Sequence, residues 1–192
     1  MTRFWSSIDV RWRWLGAAFI AIIVLPLAWY LGSPLFINVT VDERFPDVAP
    51  ISASTSLPAV AAPQAVPRAT ALAAEPIQLG KGQFTEVDAI HKGEGTATLF
   101  RLPDERRLIR FETFKVQNGP DLYVYLSGHP MPRSSEELHN QSAFEVGRLK
   151  GNIGDQNYEL PADLDLSQYH SVVIYCKRFG VVFSTAELIA SQ

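Results

Sequence analysis

The sequence predicts an all-β domain, an antiparallel β-sandwich or barrel-like fold, preceded by one transmembrane helix and a disordered linker. Three observations carry this. Short apolar segments rich in β-branched and aromatic residues recur through the C-terminal 115 or so residues, separated by Gly, Pro and Asn. No β-α-β alternation is present, which sets aside a nucleotide-binding α/β fold. The first 76 residues are unlike the rest, being apolar to about residue 35 and Ala/Pro-rich from 46 to 76.

Residues 1–13 carry Arg3, Arg11 and Arg13 and form a short arm. Residues 14–31 are uncharged; at about 1.5 Å per residue, about 18 residues span about 27 Å, close to the apolar thickness of a bilayer. Trp12, Trp14, Trp29 and Tyr30 stand at the two ends of this run, where amphipathic rings prefer the headgroup level. Asp42, Glu43 and Asp47, with only Arg44 between them, follow it. The positive-inside bias therefore predicts a single-pass membrane anchor, N-terminus cytoplasmic and C-terminal domain extracytoplasmic. A cleaved signal peptide is the weaker reading, because no small-x-small site follows the run. Pro26 is expected to kink the helix, which a membrane segment tolerates.

Residues 32–76 read as a linker. Six prolines at irregular spacing between Pro46 and Pro76 forbid a helix, and large apolar residues are too few to build a core. The remainder, 77–192, is long enough for a single core without staples.

Within it, strands are expected over 83–87, 95–102, 106–111, 121–127, 171–176 and 179–189. A short helix is expected over 134–140, and a turn or single helical turn over 161–169. Asn118-Gly119-Pro120-Asp121 is the sharpest turn signal, feeding the strand that begins at Leu122. Residues 151–158 read as a second polar turn. Asp121, Asn118 and Asp155 offer oxygen atoms to calcium, but no acidic cluster with loop spacing supports a metal site.

A net charge of −3 with no Lys/Arg cluster argues against nucleic acid as a partner. A single cysteine excludes an internal disulfide. His91, His129, His139 and His170 are scattered without metal-ligand spacing and read as loop or cap residues. Cys176 is followed by Lys177, Arg178 and Phe179, which excludes a blue-copper site, and no C-x-x-C-H or G-x-S-x-G motif is present.

The chemistry therefore centres on residues 171–183, S-V-V-I-Y-C-K-R-F-G-V-V-F. Alternation puts Val172, Ile174, Cys176 and Arg178 on one face and Val173, Tyr175, Lys177 and Phe179 on the other. Charge begins after the cysteine, so Cys176 is expected where the strand leaves the core, partly shielded. Arg178 then lies roughly 6–7 Å along the same face, where its cation lowers the thiol pKa and favours thiolate. The competing reading is that Cys176 is a small buried hydrophobe.

Seven ordered blocks between 82 and 188 resemble a known family. They include G-Q-F (82–84), H-K-G-E-G-T-A-T (91–98), L-I-R-F-E-T-F (108–114) and N-G-P-D-L-Y-V-Y-L (118–126). L-K-G-N-I-G-D-Q-N-Y-E-L-P (149–161), V-V-I-Y-C-K-R-F (172–179) and V-F-S-T-A-E-L (182–188) continue the match. The chain is similar to the electron-transfer DM-thirteen domain. The resemblance implies a compact extracytoplasmic β domain, often partnered with haem-binding DOMON domains. It also implies that Cys176 takes part in redox chemistry, as a bare thiol or by holding a prosthetic group whose identity is unknown. Two functions follow. One is a membrane-anchored redox or electron-transfer module that uses Cys176, tuned by Arg178, with a redox partner protein. The other is a non-catalytic binding or scaffold module in which Cys176 is packing.

Overall fold

The computed structural model describes residues 10–46 and 75–191. The arm and most of the linker lie outside them. The chain divides into two units, the first formed by Met1–Asn38 with Asn118–Pro120.

In the first unit, α1 spans Val10–Phe36, 27 residues that continue through Pro26. Its described residues from Trp14 to Leu27 are apolar and almost all exposed, among them the large side chains of Phe19, Ile22 and Leu25. Over the described residues alone, no helix is long and apolar enough to cross a membrane. The side chains of Ala28, Tyr30 and Leu31 in the predicted span, and of Trp12 before it, lie outside the described residues.

The second unit is the β domain. Its strands are β1 (Ile77–Glu86), β2 (Gly93–Arg101), β3 (Arg107–Val116), β4 (Leu122–Ser127), β5 (Ala143–Arg148), β6 (Gln156–Leu160), β7 (Ser171–Cys176), β8 (Val181–Glu187) and β9 (Ile189–Ala190). They form one antiparallel sheet in the order β5-β4-β7-β8-β1-β2-β3-β6, with β9 added to β1. The sheet curls into a nearly closed barrel. The all-β antiparallel expectation holds, and the barrel-like alternative is the better description.

β1 makes the curl possible. Its first part pairs with β2 as far as Gln83↔Thr96, and its last three residues pair with β8, beginning at Phe84↔Ala186. The strand passes so close to its neighbour that a Cβ on Gly82 would lie 2.2 Å from the Glu187 carbonyl oxygen. Only glycine fits there.

The barrel interior is filled by Phe84, Phe111, Phe114 and Tyr158, whose rings meet at centroid distances of 4.9–5.2 Å, together with aliphatic residues of every long strand. A second, smaller apolar cluster lies outside the barrel wall, where Val173 and Tyr175 of β7 and Tyr125 of β4 meet Leu138. Leu138 comes from α2 (Ser135–His139), which starts where expected, with Ser134 Oγ accepting the Glu137 N–H. The turn expected over 161–169 contains a short 3₁₀ segment, Leu166–Gln168.

β5 and β6 were not expected. β6 replaces the predicted polar turn over 151–158 in part, because alternation turns Gln156, Tyr158 and Leu160 inward. Gln156 is tolerated there because its amide donates to the Gly151 carbonyl at 2.8 Å and accepts from the Tyr158 hydroxyl at 2.7 Å.

The linker reading also needs correction at its start. Residues 39–46 belong to the β domain. Val41 N–H donates to the Ile153 carbonyl and Glu43 N–H to that of Asp155, both at 2.9 Å. Gly154, at φ +99°, permits this approach, since a Cβ there would sit 2.0 Å from the Val41 oxygen. Residues 47–74 of the linker lie outside the described residues.

Candidate functional site

All six residues of β7 are buried, which the β-branched run S-V-V-I-Y-C requires of a strand covered on both faces. The expected alternation is present. Val172, Ile174 and Cys176 face the barrel interior, and Val173 and Tyr175 face the outer cluster. Cys176 is the last residue of the strand, paired with Leu122 of β4 and Val181 of β8.

Cys176 is 0 % exposed. The expectation that it is only partly shielded is therefore corrected. The strand does end there, level with Leu122 at the start of β4 and Val181 at the start of β8, but the side chain still belongs to the interior cluster. As folded, the thiol has no open side for a prosthetic group, and it lines neither the surface cavity between Glu43 and Glu159 nor that between Leu79 and Ser167.

Arg178 is corrected with it. Residues 177–180 form a four-residue turn, closed by Gly180 N–H donating to the Cys176 carbonyl at 2.9 Å. Alternation stops at the turn, so Arg178 does not share the face of Cys176. Its side chain is exposed and forms no hydrogen bond or ion pair with the described residues. Phe179 beside it is 62 % exposed. The sequence pointed to the correct stretch but not to the turn inside it. Lys177-Arg178-Phe179-Gly180 ends in a glycine at φ +65°, and that was the available signal.

The other face of β7 carries polar chemistry that sequence reading missed. Tyr125 and Tyr175 pack edge to face with centroids 5.6 Å apart, and His139 lies 5.5 Å from Tyr175. The Tyr125 hydroxyl donates to Glu145 Oε2 at 2.8 Å, and Glu145 also pairs with Lys177. The Lys177 hydrogen bond, then that of Tyr125, holds the Glu145 carboxyl below its usual range. Burial, and then Glu145, push the Tyr125 phenol up. Tyr123, cross-strand from Tyr175, carries the Lys177 ammonium 4.0 Å above its ring. No sequence spacing reveals this set, since Glu145 lies on a strand that was not expected.

The remaining candidates have structural partners. Asp155 accepts from Arg110 Nη2 at 2.7 Å and from the Thr113 N–H at 2.9 Å. Thr113 sits at φ +48° in a bulge of β3, and Asp155 anchors it there. Arg110, buried and unremarked in the sequence, also donates to Asn157 Oδ1 and the Glu43 carbonyl. Asp121 pairs loosely with Arg148 at 3.5 Å. Among the described residues no group of three or more His, Cys, Asp or Glu is placed to hold a metal ion.

His91 bonds through Nδ1 to Asp88 at 2.7 Å and lies edge-on to Phe183. His129 Nδ1 accepts the Met131 N–H, and His139 Nδ1 donates to the Ser135 carbonyl. Each of these three braces its own loop or helix end.

A nearly closed antiparallel barrel with one buried cysteine at the end of β7 defines the class of protein. The family model for Electron transfer DM13 matches residues 83–188, more than half of the chain, and the chain belongs to that family. No curated protein and no solved structure matches the chain.

Proposed function

We propose that this chain is a membrane-tethered electron-transfer module whose β domain works outside the cytoplasm. The single observation that carries the redox reading is the family match, which runs from β1 through β8. The tether is supported by the apolar run 14–31, by the arginines before it and by the exposed apolar side chains described between Trp14 and Trp29.

Cys176 is the redox candidate, and its burial fixes the condition under which it works. A sealed thiol exchanges nothing with solvent or with a partner's thiol. It becomes reachable when the tip of the β7–β8 hairpin lifts, which breaks the Cys176↔Val181 pair and the Gly180–Cys176 hydrogen bond. Such openings of strand ends cost less than global unfolding. The exposed Arg178 and Phe179 at that tip are where a redox partner protein would press. A thiolate formed there would be tuned by Arg178 only in the opened state.

The burial itself favours a second reading, a binding or scaffold module in which Cys176 is core packing. A redox titration of the purified full chain against its Cys176→Ser variant separates the two. A couple present in the wild type and lost in Cys176→Ser supports electron transfer through the thiol; no difference between them supports the scaffold. Alkaline extraction of membranes tests the tether: the full chain stays in the pellet, and its release into the supernatant removes the anchor.

A further inference from the structure

The outer face of β7 presents a second redox-competent group, distinct from the thiol. We infer that Tyr125 is a proton-coupled electron relay, oxidised by a partner's metal centre of strongly positive potential, with Glu145 as the proton acceptor. This rests on the electron-transfer reading of the domain.

A phenol is hard to oxidise unless its proton leaves with the electron. Tyr125 is nearly buried, and its hydroxyl donates to a side-chain carboxylate at 2.8 Å. Lys177 keeps that carboxylate anionic and ready to accept. One electron passes from Tyr125 to the oxidised metal centre, which is reduced by one. The phenolic proton moves along the existing hydrogen bond to Glu145, leaving a neutral tyrosyl radical beside a neutral carboxylic acid. Re-reduction returns the proton. The apolar cluster itself gains no charge at either stage; the uncompensated positive charge of the oxidised state rests on Lys177, whose side chain is 35 % exposed to solvent.

The surroundings provide a path. Tyr175, 5.6 Å from Tyr125, has its own hydroxyl 2.7 Å from Ser135 Oγ, and Tyr123 pairs with Tyr175 across the β4–β7 ladder. Tyr123 is partly exposed with the Lys177 cation over its ring, so the three rings connect the buried phenol to the surface. Tyr175 and Lys177 flank Cys176 in the chain, placing the relay on the opposite side of the same strand end.

The test is flash oxidation of the full chain in detergent by photogenerated tris(bipyridine)ruthenium(III), with the tyrosyl radical read by its optical absorption and electron paramagnetic resonance. Tyr125→Phe should lose most of the radical formed in the domain, whereas Tyr169→Phe, outside the cluster, should not. In the wild type the oxidation rate is flat above the carboxylate range and falls as pH drops and Glu145 takes a proton; Glu145→Gln lowers the rate about tenfold and abolishes that acid limb. Thermal melts confirm folding of each variant. Wild-type radical yield in Tyr125→Phe overturns the relay, as does an unchanged acid limb in Glu145→Gln. The redox titration of wild type against Cys176→Ser in the same preparation reads the parent proposal separately. A couple lost in Cys176→Ser alongside an unaltered Tyr125→Phe leaves electron transfer standing without the relay, and a wild type with no couple overturns both.

Discussion

Cys176 stands directly opposite Leu122 across the β4–β7 ladder, its thiol closed from solvent, while Lys177, the next residue, is already at the surface. The boundary between core and solvent falls within one peptide unit. A hydroxyl placed at this position has no partner prepared for it. Cys176→Ser should therefore destabilise the domain by about 1–3 kcal/mol, more than Cys176→Ala at about 1 kcal/mol. Urea unfolding of the two variants gives the order; a serine variant as stable as wild type places the side chain outside the core.

Gly82 is expected to tolerate no side chain. A methyl at that site meets the Glu187 backbone at 2.2 Å, with no flexible side chain available to yield. Gly82→Ala should cost about 3 kcal/mol or prevent folding, because β1 must shift away from β8. Circular dichroism melts check this, and a neutral outcome argues against the passage of β1 between its two partners.

Asp155 joins the buried Arg110 to the bulge at Thr113. Removing the carboxylate leaves the guanidinium with Glu112, at 3.2 Å, as its remaining carboxylate partner among the described residues, and leaves the strained residue without its anchor. Asp155→Ala should cost about 3 kcal/mol in urea unfolding. A loss under about 0.5 kcal/mol, the range of ordinary surface changes, contradicts the role assigned to it.

The acid limb of stability should depend on Asp88. Hydrogen bonds from His91's ring and from the His91 and Ile90 N–H groups hold its pKa at about 2, against an ordinary 3.8. A depressed carboxylate stabilises the fold above its unfolded pKa, and that contribution is lost as pH falls through the folded value. The difference in urea midpoint between wild type and Asp88→Asn should hence be full above about pH 5 and shrink as pH falls past 3.8 toward 2. A difference that is the same at pH 2 and pH 5 removes Asp88 from the acid response.

The strand pattern was legible wherever β-branched and aromatic residues cluster. β7, β4 and the start of α2 are placed by the sequence to within a residue. β5 and β6 were not, since A-F-E-V-G-R and Q-N-Y-E-L lack such a run, and Gln156 reads as polar although its amide is fully bonded inside. The docking of residues 39–46 was illegible for another reason. It depends on glycines at 151 and 154 that look like turn residues until the segment they admit is known. At the site, composition and alternation located Cys176 and its two faces, whereas the exposure of Arg178 follows from a turn that strand periodicity does not encode.

Thiol labelling of the native full chain across low urea concentrations tests the central claim most directly. Cys176 should be labelled through a local opening of the β7–β8 tip, with a labelling free energy well below that of global unfolding and nearly independent of urea. Labelling that occurs only with global unfolding, at the full urea dependence, would contradict it and leave Cys176 a packing residue.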